Sequence, residues 1–572
     1  MKQWPRVKLN KLNRNTLKYN YLSGKYPFNV RITSAIVMLV VGLLFSLHLG
    51  AAPSNDSTTV KNAAIQPGER INTVFTPMVT ALSKVLFWDP FEAAGVYDAQ
   101  LYDEAGNPLI NNNGEPVKAP LKLIVVWLIG GGLFFTIFLR FVPFRLFRHA
   151  INLVRGKYDK AGTKGEVSHF QALTTALSAT VGLGNIAGVA IAISIGGAGA
   201  TIWMMLAGFL GMSLKFAECS LGLKYRKIDS KGHVSGGAMY YLRDGLAAKG
   251  FPVLGMVLAV LFSLMAVGGS VGGGNMLQAN QAFEQLTIFF PSLKDAGFWY
   301  GLVMAFFVGL VIVGGIRSIA RVTAKVVPLM AIIYVGASLF IILSNWFRLP
   351  EAFAQIWEGA FAPDAMKGGF IGVLIFGFQR GAFSNEAGVG SASIAHSAAR
   401  TNEPVSEGVV ALLEPFVDTI IICTMTALVI IFSGVEVGSN IQGVQLTTAA
   451  YASVISWFPY ILLIAVTLFA FSTMISWSYY GLKGFDFLAG SLSEKLFGSR
   501  KVAGQLFNLF FLFCIVVGSS SSLGAVMDFS DMMVLCMAFP NLIGLVLMSG
   551  EVKRDLEVYI NKLQSGKLYE EE

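Results

Sequence analysis

A glycine-rich segment, "TVGLGNIAG", interrupts a long apolar run between Thr180 and Gly188. Glycine destabilises a helix interior by roughly 1 kcal/mol relative to alanine, and a buried amide without a partner is also costly. A helix that unwinds inside a membrane uses both residue types, because its exposed amide ends bind a carboxylate and its freed carbonyls coordinate a cation. The segment therefore predicts a broken membrane helix that forms a binding site.

Two other interpretations of this segment account for less of it. Gly184 and Gly188 have the GxxxG spacing of closely packed membrane helices, but packing alone leaves Thr180 and Asn185 unexplained. The letters "GLGNIA" also fit the GxGxxA dinucleotide fingerprint. That motif must follow a strand and open a soluble helix, whereas apolar sequence flanks it on both sides here, so we reject nucleotide binding.

A second interrupted segment, "GGFIGVLIFGFQRGAFSNEAGVGSASIAH", lies within the apolar run 368–398. Its interruptions are the glycines and embedded polar residues Gly377, Gly381, Gly388, Gly390, Arg380, Asn385 and Glu386. Transporters place broken helices at corresponding positions of two repeats. Because the two segments fall in the first and sixth of ten core spans, they predict a five-plus-five inverted repeat.

Composition requires a lipid bilayer around these elements. Hydrophobic residues make up 54% of the 572 residues, charged residues 13%, and the mean hydropathy is +0.62, whereas a soluble chain has about 25% charged residues. The net charge of +9 comes from basic residues beside the apolar runs, as the positive-inside rule requires. The charge therefore predicts no nucleic-acid partner.

The apolar runs divide the chain into six parts. We predict a basic cytoplasmic N-terminus (1–31), a signal anchor or signal peptide (32–51), a polar extracytoplasmic segment (52–120), an accessory transmembrane helix (121–145), a transporter core of ten helices (146–549) and a cytoplasmic tail (550–572). The core spans are predicted at 170–195, 197–222, 252–279, 300–316, 322–344, 368–398, 407–432, 456–483, 503–521 and 526–548. Basic residues alternate with acidic ones from loop to loop, which places both termini in the cytoplasm of a bacterial inner membrane if the first run is retained.

Four motifs resemble the alanine or glycine:cation symporter family, of the sodium:alanine symporter type. They are "ALSATVGLGNIAGVAIAISIGGAGATIWM" at 176–204, "KFAE" at 215–218, "FSNEAGVGSASIAH" at 383–396 and "WSYYG" at 477–481. The family is related to the amino acid–polyamine–organocation superfamily. The resemblance therefore implies an all-α membrane protein with the fold of the bacterial leucine transporter, and sodium-driven uptake of a small neutral amino acid such as alanine or glycine.

The two breaks supply the expected substrate contacts. Amides around Thr180, Gly182 and Gly184 would meet the substrate carboxylate, while Asn185 would secure the unwound turn. The ammonium would lie near carbonyls freed around Phe376 and Gly377. Further candidates for the pocket wall are Gln278, Phe378 and Trp477, although packing alone explains each aromatic residue equally well.

Sodium is a hard cation that prefers oxygen ligands. The superfamily resemblance implies a site between the first and eighth core helices, with the carbonyls of Ser178 and Val181 opposite the hydroxyls of Ser472 and Thr473. Serine and threonine in membrane helices more often bond the preceding turn. Proton or lithium coupling therefore remains an alternative.

Charges inside the spans suggest function by default. Lys215 and Glu218 lie three apart on one helix, so we predict that they form a structural ion pair. Arg380 and Glu386 flank the second break and are candidates for a cytoplasmic gate. Isolated His396 is predicted to pack or cap a helix end.

Other functions fit the sequence less well. A glutamine or serine transporter differs only in pocket size, which sequence does not specify. A membrane enzyme would need a nucleophile–base or metal constellation such as HExxH, a motif that the sequence lacks. A channel would repeat one filter motif, whereas the two broken helices here are unlike.

Overall fold

The computed structural model describes residues 87–95, 100, 110, 121–159, 162–361, 370–434, 443–454, 456–521 and 523–568. The predicted N-terminus (1–31) and first hydrophobic run (32–51) lie outside these residues. So does most of the polar segment 52–120, of which one helical turn, Pro90–Ala93, is described.

Helices make up almost all of the described chain. In order they are α1 (Leu123–Phe138), α2 (Val142–Val154), α3 (His169–Thr180), α4 (Ala187–Gly196), α5 (Ala200–Lys224), α6 (Pro252–Phe289), α7 (Gly297–Ile312), α8 (Gly315–Ser344), α9 (Leu349–Phe361), α10 (Phe370–Asn385), α11 (Ala392–His396), α12 (Pro404–Ser433), α13 (Val444–Val454), α14 (Phe458–Phe497), α15 (Lys501–Ser519), α16 (Leu523–Cys536) and α17 (Ala538–Gln564). A short hairpin, Lys227–Ile228 with Val234–Ser235, and the helical turns Ala238–Tyr240 and Leu246–Ala248 connect α5 to α6.

Length and composition qualify many of these helices as membrane spans. Within the described ranges, seven helices are long and apolar enough to cross a membrane, or up to nine if each of two bent pairs is one span. The pairs are α1 with α2, bent by 80°, and His169–Thr180 with Leu183–Gly196, bent by 56°. A mostly helical membrane protein with a broken first core helix is therefore confirmed.

Helix α2 turns away from α1 at a corner formed by two left-handed residues. Arg140 and Phe141 have φ angles of 54° and 55°. Beyond the corner, Leu146 and Ala150 are buried, whereas Arg145 and Arg148 are exposed. This is the pattern of a helix that lies along a membrane surface.

The core helices pack in two groups. Helix α5 packs against α10 and α12, and α4 also packs against α10. In the other group α14 packs against α6, α8 and α15. Helix α3 contacts α8 and α14, and the turn Leu183–Asn185 in the break that follows it contacts α10, α12 and α14, so the break lies between the groups.

The two ends of the bundle can be defined by helix α5. At the Lys224 end, Lys224 pairs with Glu551 of α17, and the Arg226 guanidinium donates to the Ala399 carbonyl after α11. At the Gly196 end, the chain between α4 and α5 packs on Gly359 of α9. The charge pattern predicts that the Lys224 end is cytoplasmic.

Candidate functional site

The first break converts two turns of helix into an unwound segment. Helix α3 begins with a capping box between Ser168 and Gln171 and ends at Thr180. Gly182 is extended, with φ −149° and ψ −150°. Its N–H would bond the Ser178 carbonyl in an unbroken helix, but it donates to Asn185 Oδ1 at 2.8 Å instead. The Ser178 carbonyl is thereby released from the helical pattern.

The Asn185 side chain joins this break to two other helices. Its amide donates to Asp418 Oδ1 at 2.7 Å, to the Asp418 carbonyl at 3.0 Å and to Ser384 Oγ at 3.0 Å. The Ser384 hydroxyl in turn donates to Asp418 Oδ2 at 2.7 Å. All three side chains are buried. A polar group buried this fully is stable only when it is hydrogen-bonded, so these contacts fix the unwound turn against α10 and α12.

The second break lies later than the sequence predicts. Helix α10 is continuous through Phe376, Gly377 and Gly381, and ends at Asn385. The chain is left-handed at Gly388 and Gly390, with φ 85° and 90°. Because an intact helix uses its own carbonyls, the predicted role of Phe376 and Gly377 carbonyls is wrong. Of the four glycines expected to interrupt the span, only the last two do so.

Glu386 begins the second break in a strained conformation. Its φ of 53° is left-handed, which costs a non-glycine residue of order 1–2 kcal/mol. Its carboxylate accepts hydrogen bonds from Trp477 Nε1 at 3.1 Å and from Ser391 Oγ at 2.5 Å. Strain held by such contacts is typical of functional sites.

A small enclosed cavity lies between the two breaks. Its volume of about 10 Å³ is enough for about one water molecule, and four of its lining residues are predicted substrate contacts: Thr180, Gly184, Gln278 and Trp477. The others are Ala179, Gly273, Phe383, Glu386 and Val534. Glu386 thus lies in the cavity wall, not in a gate beyond it.

Gln278 connects the cavity to the first break. Its Oε1 accepts from the Leu183 N–H at 3.4 Å, and its Nε2 donates to the Gly273 carbonyl at 2.9 Å. That carbonyl belongs to a π-helical turn, Gly272–Met276, inside α6. Such turns are frequent at functional sites.

Trp477 needs a glycine beside it. A Cβ on Gly274 would lie 2.1 Å from Trp477 Cγ and 2.2 Å from its Cβ. We expect Gly274→Ala to displace the indole from Glu386 and lower amino-acid uptake about tenfold, since overpacking typically costs about 1–3 kcal/mol. The control Gly336→Ala lies in α8 where nothing is within 4 Å. Uptake by Gly274→Ala equal to that control would contradict this account.

The remaining predicted substrate residues lie apart from the cavity lining. Gly182 packs against Thr473, and Asn185 forms the junction described above. Gly377 faces the Ala200 carbonyl and Trp203 of α5. Phe378 is buried beside the same Trp203 ring, with centroids 6.4 Å apart. Phe376 is partly buried near Gly196.

The Thr180 hydroxyl is engaged within its own helix. It donates to the Ala176 and Leu177 carbonyls at 3.3 and 3.4 Å. Its side chain still lines the cavity. A substrate carboxylate would therefore compete with the preceding turn for this donor.

Two helices that carry predicted sodium ligands, α3 and α14, are in contact at the first break. The Ser178 hydroxyl donates to the Ser472 carbonyl at 2.6 Å, which joins α3 to α14. Thr473 Oγ1 lies 2.7 Å from the position of a Cβ on Gly182, next to Val181. This hydroxyl is buried and has no hydrogen-bond partner in the described part of the chain. An oxygen of this kind beside a freed carbonyl fits a hard cation.

The predicted ion pair between Lys215 and Glu218 is wrong, and so is the predicted isolation of His396. Lys215 Nζ lies 3.1 Å from Glu414 Oε2 on α12, and Glu218 accepts from Asn541 Nδ2 at 2.9 Å. The tertiary partners outcompete the pairing along one helix. His396 is buried between two glutamates, so it is not isolated.

Arg380 lies on the Gly196 side of the cavity, away from the predicted cytoplasmic end. It is bonded twice to Asp531 of α16, at 3.1 and 2.7 Å, and Gln379 donates to the same carboxylate at 3.1 Å. Its guanidinium also lies 5.9 Å from the Phe383 ring of the cavity wall. The expected cytoplasmic gating role of Arg380 therefore does not fit this position.

Sequence reasoning did not predict the contact of Asp531 with Arg380 or that of Asp418 with Asn185. Both aspartates are charges inside predicted apolar spans, and such charges mark functional positions. That signal was available for each residue. Phe383 and Val534 carried none, because apolar residues in a membrane span are the common background.

An enclosed polar cavity between two broken helices of an apolar bundle is the arrangement of a membrane transport protein. The chain belongs to the sodium:alanine symporter family, whose family model matches residues 107–572.

Individual relatives agree with this assignment. The sodium/alanine symporter AgcS of Methanococcus maripaludis is 38% identical over 458 residues, which cover 79% of this chain and 96% of that protein. An uncharacterised transporter of Haemophilus influenzae is 37% identical, covering 78% and 94%. The probable sodium/glutamine symporter GlnT of Bacillus subtilis is 34% identical, covering 78% and 89%.

Proposed function

We propose that this protein couples inward sodium flow to the uptake of alanine or glycine by alternating access. The observation that carries the proposal is the junction of the two breaks. There an enclosed cavity adjoins a freed carbonyl and the buried, unpartnered Thr473 hydroxyl. A substrate site and a cation site that share one unwound turn are positioned to be coupled.

The cavity offers opposite charges to the two ends of an amino acid. The turn around Gly184 presents the N-terminal end of α4, which favours a carboxylate. Glu386 presents a carboxylate from the second break, and we assign it to the ammonium in place of the Phe376 and Gly377 carbonyls. The cavity of about 10 Å³ is too small to hold an amino acid, so the helix groups would have to separate before a substrate binds.

Sodium would be held where α3 meets α14. The Ser178 and Val181 carbonyls and the Ser472 and Thr473 hydroxyls supply the oxygen ligands. The Ser472 hydroxyl donates to the Phe469 carbonyl at 3.0 Å, which leaves its oxygen lone pairs to bind the ion. Sodium would then cross-link α3 to α14 next to the substrate.

The transport cycle follows from the packing of the two groups. We propose that helices α3 to α17 form two inverted five-helix repeats, and that the group containing α5, α10 and α12 rocks against the group built on α14. The termini would lie in the cytoplasm of a bacterial inner membrane, because the Lys224 end carries the basic loops.

The Arg380–Asp531 pair would close the cavity on the Gly196 side. The two side chains are 6% and 3% exposed and join α10 to α16 directly above the cavity wall. Breaking a buried ion pair costs about 3–5 kcal/mol, so we expect Asp531→Asn to lower uptake at least tenfold. Asp528→Asn is the matched control, because Asp528 is exposed on the same helix. Equal uptake by the two variants would argue against closure by this pair.

Uptake of labelled alanine, glycine and glutamine into proteoliposomes tests the proposed function. With an inward sodium gradient we expect alanine and glycine to accumulate, and glutamine, with its longer side chain, to accumulate less. The glutamine arm is needed because one relative is named for glutamine. Accumulation of glutamine alone would show that glutamine, and not alanine or glycine, is the substrate. Accumulation that is the same with and without sodium would contradict the proposed coupling.

A further inference from the structure

Four ionisable side chains form a continuous hydrogen-bonded row near the Lys224 end. His169 Nδ1 contacts Glu407 Oε1. The other oxygen of Glu407 contacts His396 Nδ1 at 2.5 Å, and His396 Nε2 contacts Glu414 Oε1 at 2.5 Å. We call His169, Glu407, His396 and Glu414 the imidazole–carboxylate row. It links α3, α11 and α12, and Lys215 of α5 holds its inner end.

Among the described residues, the row reaches the protein surface at one end only. His169 Nε2 lies 3.8 Å from Asp159 Oδ1, and the Asp159 side chain is 52% exposed. The Glu407, His396 and Glu414 side chains are fully buried. Any proton that enters or leaves the row in this arrangement therefore passes His169.

Protonated imidazoles stabilise the buried carboxylates of the row. Each Glu407 oxygen contacts one imidazole nitrogen, and Glu414 lies between His396 and Lys215. Hydrogen bonds to ionised groups are roughly twice as strong as neutral ones, so loss of the His169 proton weakens the contact beside a buried carboxylate. The stability of this arrangement thus depends on bound protons.

Other charged and titratable groups surround the row. Facing groups on α5, on the segment that follows α5, on α14 and on α17 are Glu218, Cys219, Arg226, Tyr480 and Tyr559. The Cys219 sulfur lies within 4.8 Å of side-chain atoms of His396 and Glu414. Lys215 and Arg226 are the cationic neighbours of the row in the described chain, and neither lysine nor arginine ordinarily titrates near neutral pH.

Packing alone does not explain the row. Well-packed apolar residues in place of a buried ion pair are often as stable or more stable. Chains of acidic residues and histidine inside membrane spans are typical of proton relays, and histidine is the side chain that titrates near neutral pH.

We propose that the imidazole–carboxylate row binds protons from the Asp159 side and thereby makes transport sensitive to pH on that side. Protonated, the row holds α3, α5, α11 and α12 together as one body. Loss of the His169 proton to the Asp159 side weakens the contact between His169 and Glu407 and loosens that body. Transport therefore slows as pH on the Asp159 side rises. This regulation rests on the proposed transport function.

The test is sodium-driven alanine uptake into sealed membrane vesicles of one orientation, with pH varied separately on each side. Thiol labelling of Lys231→Cys, in the exposed hairpin, identifies the Asp159 side, because the native cysteines are buried. Between about pH 5.5 and 8.5, the range around an imidazole, we expect uptake to fall at least about threefold on that side and little on the other. His169→Gln and Glu407→Gln should flatten the profile.

Two histidines outside the row are matched controls. His233 is exposed and bonded to Asp229, and His149 is buried and bonded to Tyr559 at 2.8 Å. We expect His233→Gln and His149→Gln to keep the wild-type pH profile. A profile that is flat in the wild type, equal on both sides, or unchanged in Glu407→Gln would overturn the proposal.

A second readout does not depend on transport. In nitrogen NMR spectra of the purified, histidine-labelled protein, the ring signals lost in His169→Gln and His396→Gln should shift with pH, and Glu407→Gln should alter that shift. If those rings do not titrate, the proposal fails even if sodium-driven uptake is intact. If they titrate while no uptake occurs at any pH, the proton site stands and the transport function fails.

Discussion

Asn185→Leu is expected to lower uptake at least about a hundredfold. Leucine has a similar size but cannot accept from the Gly182 N–H or donate to Asp418 and Ser384. Removing a partner of a buried charge costs about 3–5 kcal/mol, and each 1.4 kcal/mol corresponds to about a tenfold change. The unwound turn would then lose its anchor to α10 and α12, so both the cavity and the sodium site would change shape.

The measurement is uptake per folded protein, with the folded fraction taken from size-exclusion chromatography. The control is Asn280→Leu, because Asn280 is also buried and donates to the Gly518 and Ser521 carbonyls, outside both breaks and the cavity lining. It should lose stability with a much smaller loss of specific activity. Specific activities that fall equally in the two variants would contradict the role assigned to Asn185.

Thr473→Val is expected to raise the sodium concentration for half-maximal uptake at least about tenfold without destabilising the protein. The hydroxyl has no partner among the described residues, so its removal costs the fold no hydrogen bond and relieves an unsatisfied buried group. Sodium, in contrast, loses one of the proposed oxygen ligands. The two readouts should therefore move independently.

Thr426→Val is the matched control, and we expect it to change stability but not sodium dependence. The Thr426 hydroxyl is bonded to Tyr334 at 2.7 Å in the α8–α12 contact, so its loss should lower thermal stability and leave sodium dependence unchanged. Titrating sodium in the uptake assay and measuring unfolding temperature in detergent tests both variants. An unchanged sodium dependence in Thr473→Val would remove this residue from the cation site.

The first break was predictable because its signals are local. Three glycines and an asparagine within "VGLGNIAG" mark a place where helical bonds fail, and the chain unwinds between Thr180 and Ala187. The apolar runs likewise located the helices, because a membrane span is defined by length and hydrophobicity alone.

The second break was misplaced because glycine has two roles in a membrane helix. Gly377 and Gly381 allow close packing against α5, where a Cβ would lie within 3.0 Å of its neighbours. Gly388 and Gly390 instead adopt left-handed backbone angles. All four residues are glycines, so the residue type does not distinguish the packing pair from the pair that breaks the helix. Only their neighbours in the folded protein do so.

The charged contacts were the least predictable part. Sequence spacing favoured a pair between Lys215 and Glu218, yet their partners lie on α12 and α17, far away along the chain. His396 looked isolated for the same reason. Long-range pairing in a bundle depends on which faces meet, and periodicity does not encode that.

Reciprocal coupling in proteoliposomes tests the central claim most directly. An inward sodium gradient should drive alanine to accumulate above its outside concentration, and an inward alanine gradient should in turn drive radioactive sodium into the vesicles. Linkage requires both directions if the two ligands share one site-forming turn. The account predicts both fluxes in the wild type and the loss of both in Asn185→Leu. Alanine uptake that is the same with sodium replaced by choline, together with no alanine-driven sodium flux, would contradict it.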